Sequence, residues 1–255
     1  NEIVIKTMTA GVKKEELLEL LGNTYFKGGF LQRSNEIFLR ILKFSPRNKN
    51  ALKSLLLVNE KLKNFKKSKE IAQALEELNI DVSVEKVYFD TLIILNDPIL
   101  SYEKRTELLF EIFKENKIIQ RIFATFLIQS NREFFFSNID MFDCEKLIDI
   151  LWYQKKEDID FDKIKNNQFL NELYSAKNYI NSVSNSSDFD LNILILINKY
   201  QKDIKTNLTF ELICNSSKHS SPCYEARCPT CHSILSLEVK HHLTKAYELS
   251  NQSLQ

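Results

Sequence analysis

Apolar residues return every three or four positions through most of this chain, the spacing of one face of an α-helix. Leu17, Leu18, Leu21 and Tyr25 form one such stripe, and Ile37, Phe38, Ile41 and Leu42 form a second. Gly28-Gly29 interrupts the two and Pro46 follows the second, so residues 14–45 read as a helical hairpin. The pattern then recurs. Leu52, Leu55 and Leu56 open a new helix, Asn64-Phe65 marks a turn, and Ile71, Ala72 and Leu75 lie on the helix after it.

Ser34 and Ser68 are small residues at tight helix contacts, 34 positions apart. A helix–turn–helix period of about 34 residues is that of the tetratricopeptide repeat. The first unit fits it with Leu18, Leu21-Gly22, Tyr25, Ser34, Phe38 and Pro46 in order. The second, over 49–82, keeps the spacing but carries Leu56 and Asn59 in place of the glycine and the aromatic residue. A third, over 83–116, survives as two stripes: Val87, Phe89, Leu92 and Ile93, then Leu108, Leu109, Ile112 and Phe113.

From 118 the pattern stays helical without a period, over roughly 118–129, 143–154, 167–181 and 188–203, with a serine-rich loop at 182–190. Phe134-Phe135-Phe136 and Trp152-Tyr153 read as core. After Lys205 the texture changes. Thr209–Ile213 and Ile234–Val239 read as strands, and 243–249 as a return to helix. The expectation is a mainly α chain: a tetratricopeptide-like array over 1–204 and a small ribbon domain over 205–255.

Composition supports this. The 255 residues include only four glycines and four prolines, the turn formers that β-rich chains need. Lys and Arg (35) balance Asp and Glu (34), so no basic excess points to nucleic acid. The longest unbroken apolar run, Ile193–Ile197, is too short to span a bilayer. The chain starts at Asn1 rather than a methionine, which leaves room for an anchor or signal upstream.

Four of the five cysteines fall between 214 and 231. Such clustering suits thiolates gathered on a metal better than a disulfide framework, and Cys144 stands apart as a small buried hydrophobe. Cys228-Pro229-Thr230-Cys231 is one half of a tetrahedral site, and Cys214, ending a strand, begins the other. Its expected partner, three residues on, is Ser217. The fourth ligand is therefore His219 or Cys223. His219 is preferred because imidazole reaches farther within the same turn, whereas an extended 223–228 segment spans roughly 16 Å. His232 is third, strained by its neighbour Cys231. A histidine ligand favours zinc over iron. No acid–base pair, nucleophile or phosphate loop accompanies the metal, and the Cys-x-x-Cys pair lies between strands rather than at a helix start, so an enzyme is not expected.

Leu21-Gly22-Asn23-Thr24-Tyr25 with Gly28 and Arg33, Ala51-Leu52 through Leu55-Leu56, Lys67 to Ala72, and Cys214, Cys228-Pro229 and Cys231 together resemble the lipopolysaccharide assembly protein B family. The chain departs from the family at Ser217, in lacking aromatic residues around the second knuckle, and in having fewer repeats. The resemblance implies a rubredoxin-like structural zinc module and a non-enzymatic adaptor at the cytoplasmic face of a bacterial inner membrane. It also implies partners among envelope-assembly proteins and a membrane anchor upstream. By repeat geometry, Glu16, Glu19, Asn23, Phe26, Asn50, Lys53 and Leu57 would line a concave partner groove. A nucleic-acid-binding ribbon is the alternative, encouraged by Lys240-His241-His242.

Overall fold

The structure is a computed structural model that describes residues 14–201 and 206–245. It is mainly helical with one small sheet, and divides into two compact units, residues 1–116 and 117–255. The division expected at 204/205 falls inside the second unit.

The first unit is three helical hairpins in succession. They are α1 (Lys14–Lys27) with α2 (Leu31–Phe44), α3 (Lys49–Lys61) with α4 (Phe65–Glu76), and α5 (Ser83–Leu95) with α6 (Tyr102–Glu115). The 34-residue period is visible in the backbone. Gly29 (φ 77°) and Lys63 (φ 60°), 34 positions apart, both take the left-handed conformation between paired helices. In each case the next residue's N–H bonds back across the turn, Phe30 to the Tyr25 carbonyl and Asn64 to the Asn59 carbonyl, both at 2.9 Å. This closure satisfies the last carbonyls of the preceding helix.

Small residues let the helices close up. The Ser34 hydroxyl, fully buried, donates to the Gly22 carbonyl at 2.8 Å, and Phe38 fills the space over Gly22. The second hairpin is pinned to its neighbours by polar contacts. Asn48 caps α3 by accepting from the Ala51 N–H, while its amide donates to Glu19 at 2.9 Å. Buried Asn59, at the position Tyr25 holds in the first repeat, donates to Asn35 and to the Leu55 carbonyl. Lys69–Asp90 and Lys86–Glu76 ion pairs join α4 to α5.

The second unit has a helical layer of α7 (Gln120–Ser130), α8 (Arg132–Ser137), α9 (Ile148–Trp152), α10 (Gln168–Ala176) and α11 (Phe189–Tyr200). Phe123, Leu127, Phe135, Leu151, Leu173 and Tyr174 form its core. Phe135, Phe136 and Trp152 are buried as expected, but Tyr153 is exposed, its ring edge-on to Phe210. The helix expected over 143–154 is shortened to α9, preceded by a 3₁₀ turn.

The sheet has the order β2-β1-β3, from β1 (Thr206–Cys214), β2 (Ser220–Ser221) and β3 (Leu237–Lys245). β1 and β3 pair antiparallel over nine positions, from Thr206↔Lys245 to Cys214↔Leu237. The return to helix expected from 243 is corrected here: 243–245 remain in β3 because β1 begins at Thr206 and gives them pairing partners, and 246–249 lie outside the described residues. The second strand also starts later than expected. Ile234 forms only an isolated bridge with Arg227, and Leu235 (φ 51°) turns the chain before pairing begins.

The sheet belongs with the helical layer because side chains tie them. Trp152 Nε1 donates to Asn207 Oδ1 at 3.1 Å, and His241 Nε2 sits 3.0 Å from Asp188, the N-cap of α11. Arg121 of α7 clamps Asp149 through both nitrogens and lies 4.3 Å over the Tyr224 ring. These contacts place the sheet and the helical layer in one compact unit, 117–255.

A methyl group at Gly22 would lie 2.7 Å from Phe38 Cζ, and Phe38 has no exposed surface into which to retreat. Gly22→Ala is therefore expected to destabilise the first unit by about 1–3 kcal/mol, the usual range for overpacking, read by urea denaturation.

Candidate metal centre

β1 delivers Cys214 to its last position, and the antiparallel register sets it opposite Leu237. The segment after β1 turns through Asn215–Lys218 into β2, and the segment before β3 holds the second cysteine pair. The sulfurs of Cys214, Cys228 and Cys231 lie within 4.8 Å of one another, with Cys214 and Cys231 at 3.6 Å. In a tetrahedral site with metal–sulfur bonds near 2.3 Å, sulfur–sulfur edges are about 3.8 Å. The three thiols are spaced as ligands of one ion.

Two further expectations concern the fourth position. The ligand atoms of His219 and Cys223 are not in this group. His219 comes close through its backbone, its carbonyl accepting from the Cys214 N–H at 2.9 Å. Cys223 is exposed, two residues beyond β2, in a turn where its N–H faces the Ser221 hydroxyl. What the cysteine count did not anticipate is a ring of serine hydroxyls. Ser217 Oγ is 3.5 Å from the Cys228 sulfur, Ser236 Oγ is 3.3 Å from that of Cys214, and Ser233 Oγ is 2.9 Å from that of Cys231.

These donors favour thiolates. The Ser217 hydroxyl, followed by the Ser217 N–H and the Ser236 hydroxyl, draws the Cys214 thiol down to about 4. The Ser233 hydroxyl, with the Ser233 N–H, lowers Cys231. Hydrogen bonds to the charged form stabilise it, and a thiolate is the form that binds metal. Beneath the sulfurs, Leu212 and Leu237 pack with Cys214 and Cys228, joined by Tyr224 and Val239. Burial pushes the Tyr224 phenol up to about 12.

The groove residues lie on α1 and α3, the leading helices of the first two hairpins. Asn23, Asn50 and Lys53 are exposed, and Phe26 and Leu57 are half-buried. Glu19 is committed to Asn48. No protein-family model matches the chain, and no curated protein does. Among the described residues no helix is long and apolar enough to cross a membrane.

Cys144, as the sequence suggests, is a buried thiol away from the cluster. Burial first, then the charges of Asp143 and Asp140, push it up to about 12. Iodoacetamide at neutral pH is expected to label Cys223 and Cys231 of chelator-treated protein and to spare Cys144, as read by peptide mass spectrometry. Because the folded state holds this proton more tightly than the unfolded chain does, Cys144 contributes stability that declines as pH rises from about 9 toward 12.

Proposed function

We propose that the protein is a non-enzymatic protein–protein adaptor whose second unit is organised by a structural zinc ion on Cys214, Cys228 and Cys231. The observation that carries the zinc reading is the convergence of three sulfurs, two of them fully buried, from the two chain segments that meet at one end of a paired ladder. Thiolate donors in this spacing select zinc among the abundant divalent ions. The role we assign the ion is to fix two loops that have little apolar core of their own, Leu212 and Leu237 being the apolar residues packed with Cys214 and Cys228. The adaptor reading rests on the array of hairpins, which presents Asn23, Phe26, Asn50, Lys53 and Leu57 as a mixed polar and apolar surface for a protein partner.

The resemblance to lipopolysaccharide assembly protein B supports envelope-assembly partners at the inner face of a bacterial inner membrane. The nucleic-acid alternative is weakened at its own basis. His241, in the middle of Lys240-His241-His242, is held by Asp188 at 3.0 Å with Asp190 at 3.8 Å.

Purified protein is expected to carry one zinc per chain by plasma emission analysis. Cys228→Ser should lose the protease resistance of residues 206–245 and retain that of the first unit. A metal-free chain with an equally resistant ribbon would falsify the zinc reading. Affinity capture from native membranes with wild-type and Cys228→Ser protein tests the adaptor role, and an identical set of captured proteins would remove the ribbon from it.

A further inference from the structure

The two turns that carry the sulfurs are copies of one backbone design, 14 residues apart. The Cys214 N–H bonds to the His219 carbonyl, and the Cys228 N–H to the Ser233 carbonyl, both at 2.9 Å. The Cys214 carbonyl accepts from the Lys218 N–H, and the Cys228 carbonyl from the His232 N–H, again at 2.9 Å. Lys218 (φ 58°) and His232 (φ 61°) take the same left-handed conformation, uncommon for such residues. The correspondence therefore sets Ser217 where the second turn has Cys231, and His219 where it has Ser233.

The hydroxyl of Ser217 behaves as that placement requires. Its oxygen is 3.5 Å from the Cys228 sulfur, and its backbone N–H donates to the Cys214 sulfur at 3.5 Å, so the residue lies against both buried thiols. With metal–sulfur bonds near 2.3 Å and a metal–oxygen bond near 2.0 Å, a sulfur–oxygen edge of a tetrahedron is about 3.5 Å. Ser233 fits less well: it is 3.6 Å from Cys214 but 2.9 Å from Cys231, too near for such an edge, and its oxygen is shared with Ser236 at 2.7 Å. His219 contributes its backbone to the turn, and its imidazole is outside the ligand group.

Building on the zinc reading above, we infer that the fourth corner of the site belongs to the Ser217 hydroxyl, and that it is an exchangeable position open to an incoming thiolate. A neutral hydroxyl is a weaker partner than a thiolate for a borderline-soft ion, so an added thiolate displaces it. The approach is open. Cys231, Pro229 and Thr230 are exposed and Ser217 is half-buried, while Cys214 and Cys228 hold the ion from the buried side. Exchange is simple substitution: the sulfur of the incoming thiolate bonds the metal, the Ser217 oxygen leaves it, and no electron changes hands.

Cobalt(II) reports this directly, because its absorption intensifies and shifts to lower energy as thiolate replaces oxygen in a tetrahedral set. Full-length protein loaded with cobalt is titrated with β-mercaptoethanol and, separately, with a short peptide bearing one cysteine. The wild type is expected to gain thiolate-to-cobalt intensity in at least one titration, and the stronger responder tells whether a small thiol or a partner's cysteine fits the position. Ser217→Cys should show the intensified spectrum before any addition and respond to neither thiol. His219→Ala should match the wild type in spectrum and response. A wild-type spectrum indifferent to both thiols, or one altered by His219→Ala, overturns the inference while leaving a structural metal in place. Failure of the wild type to bind cobalt or zinc at all instead removes the reading beneath it.

Discussion

The second unit depends on one ladder. Nine consecutive pairs between β1 and β3 fix which residue of each strand faces which, and a slip of one position would turn Leu208, Leu212 and Cys214 away from the side they share. With the register set, Cys214 arrives beside the second cysteine pair at one end of the ladder. At the other strand positions, Asn207 meets Trp152 and His241 meets Asp188. A ribbon this small buries little apolar surface, and Cys214 and Cys231, both drawn toward the thiolate form, repel one another. A cation on the proposed site would answer both at one point, closing the loops and neutralising the charge that the serine hydroxyls and turn N–H groups encourage.

The first unit solves a different problem. Its helices are short, and isolated helices of that length are marginal in water. They persist by close antiparallel packing, which the chain permits with small buried residues at Gly22, Ser34, Ala51, Ser68 and Ala72. The Ser34 bond to the Gly22 carbonyl shows how little room there is. Asn59 shows the tolerance that remains. A buried amide replaces an aromatic ring and is held by two donated bonds, although its own oxygen has no hydrogen-bond partner.

Much of this was legible from residue order. The stripes around Leu18, Phe38, Leu55 and Ile71 gave the hairpins, because buried helices impose a period that single residues cannot hide. The convergence of Cys214, Cys228 and Cys231 was legible because thiols so placed have few other uses. What was not legible was tertiary. The packing of the sheet on its helices depends on Trp152, Arg121 and His241 reaching partners far along the chain, which no local pattern records. The extension of β3 through Lys245 was hidden because Leu243 and Thr244 fit a helix alone and a strand only once β1 lies beside them. The serine ring was overlooked for a similar reason: serine is among the commonest surface residues, and only proximity to sulfur makes it informative.

Gly29 and Lys63 occupy the same step of successive hairpins with nearly the same φ, although one residue is suited to that conformation and the other is not. The repeat has thus outlived its own spelling. What the first two hairpins share is a step of backbone angles, kept by the bonds that close each turn. The side chain at that step differs between the two hairpins while the turn is held.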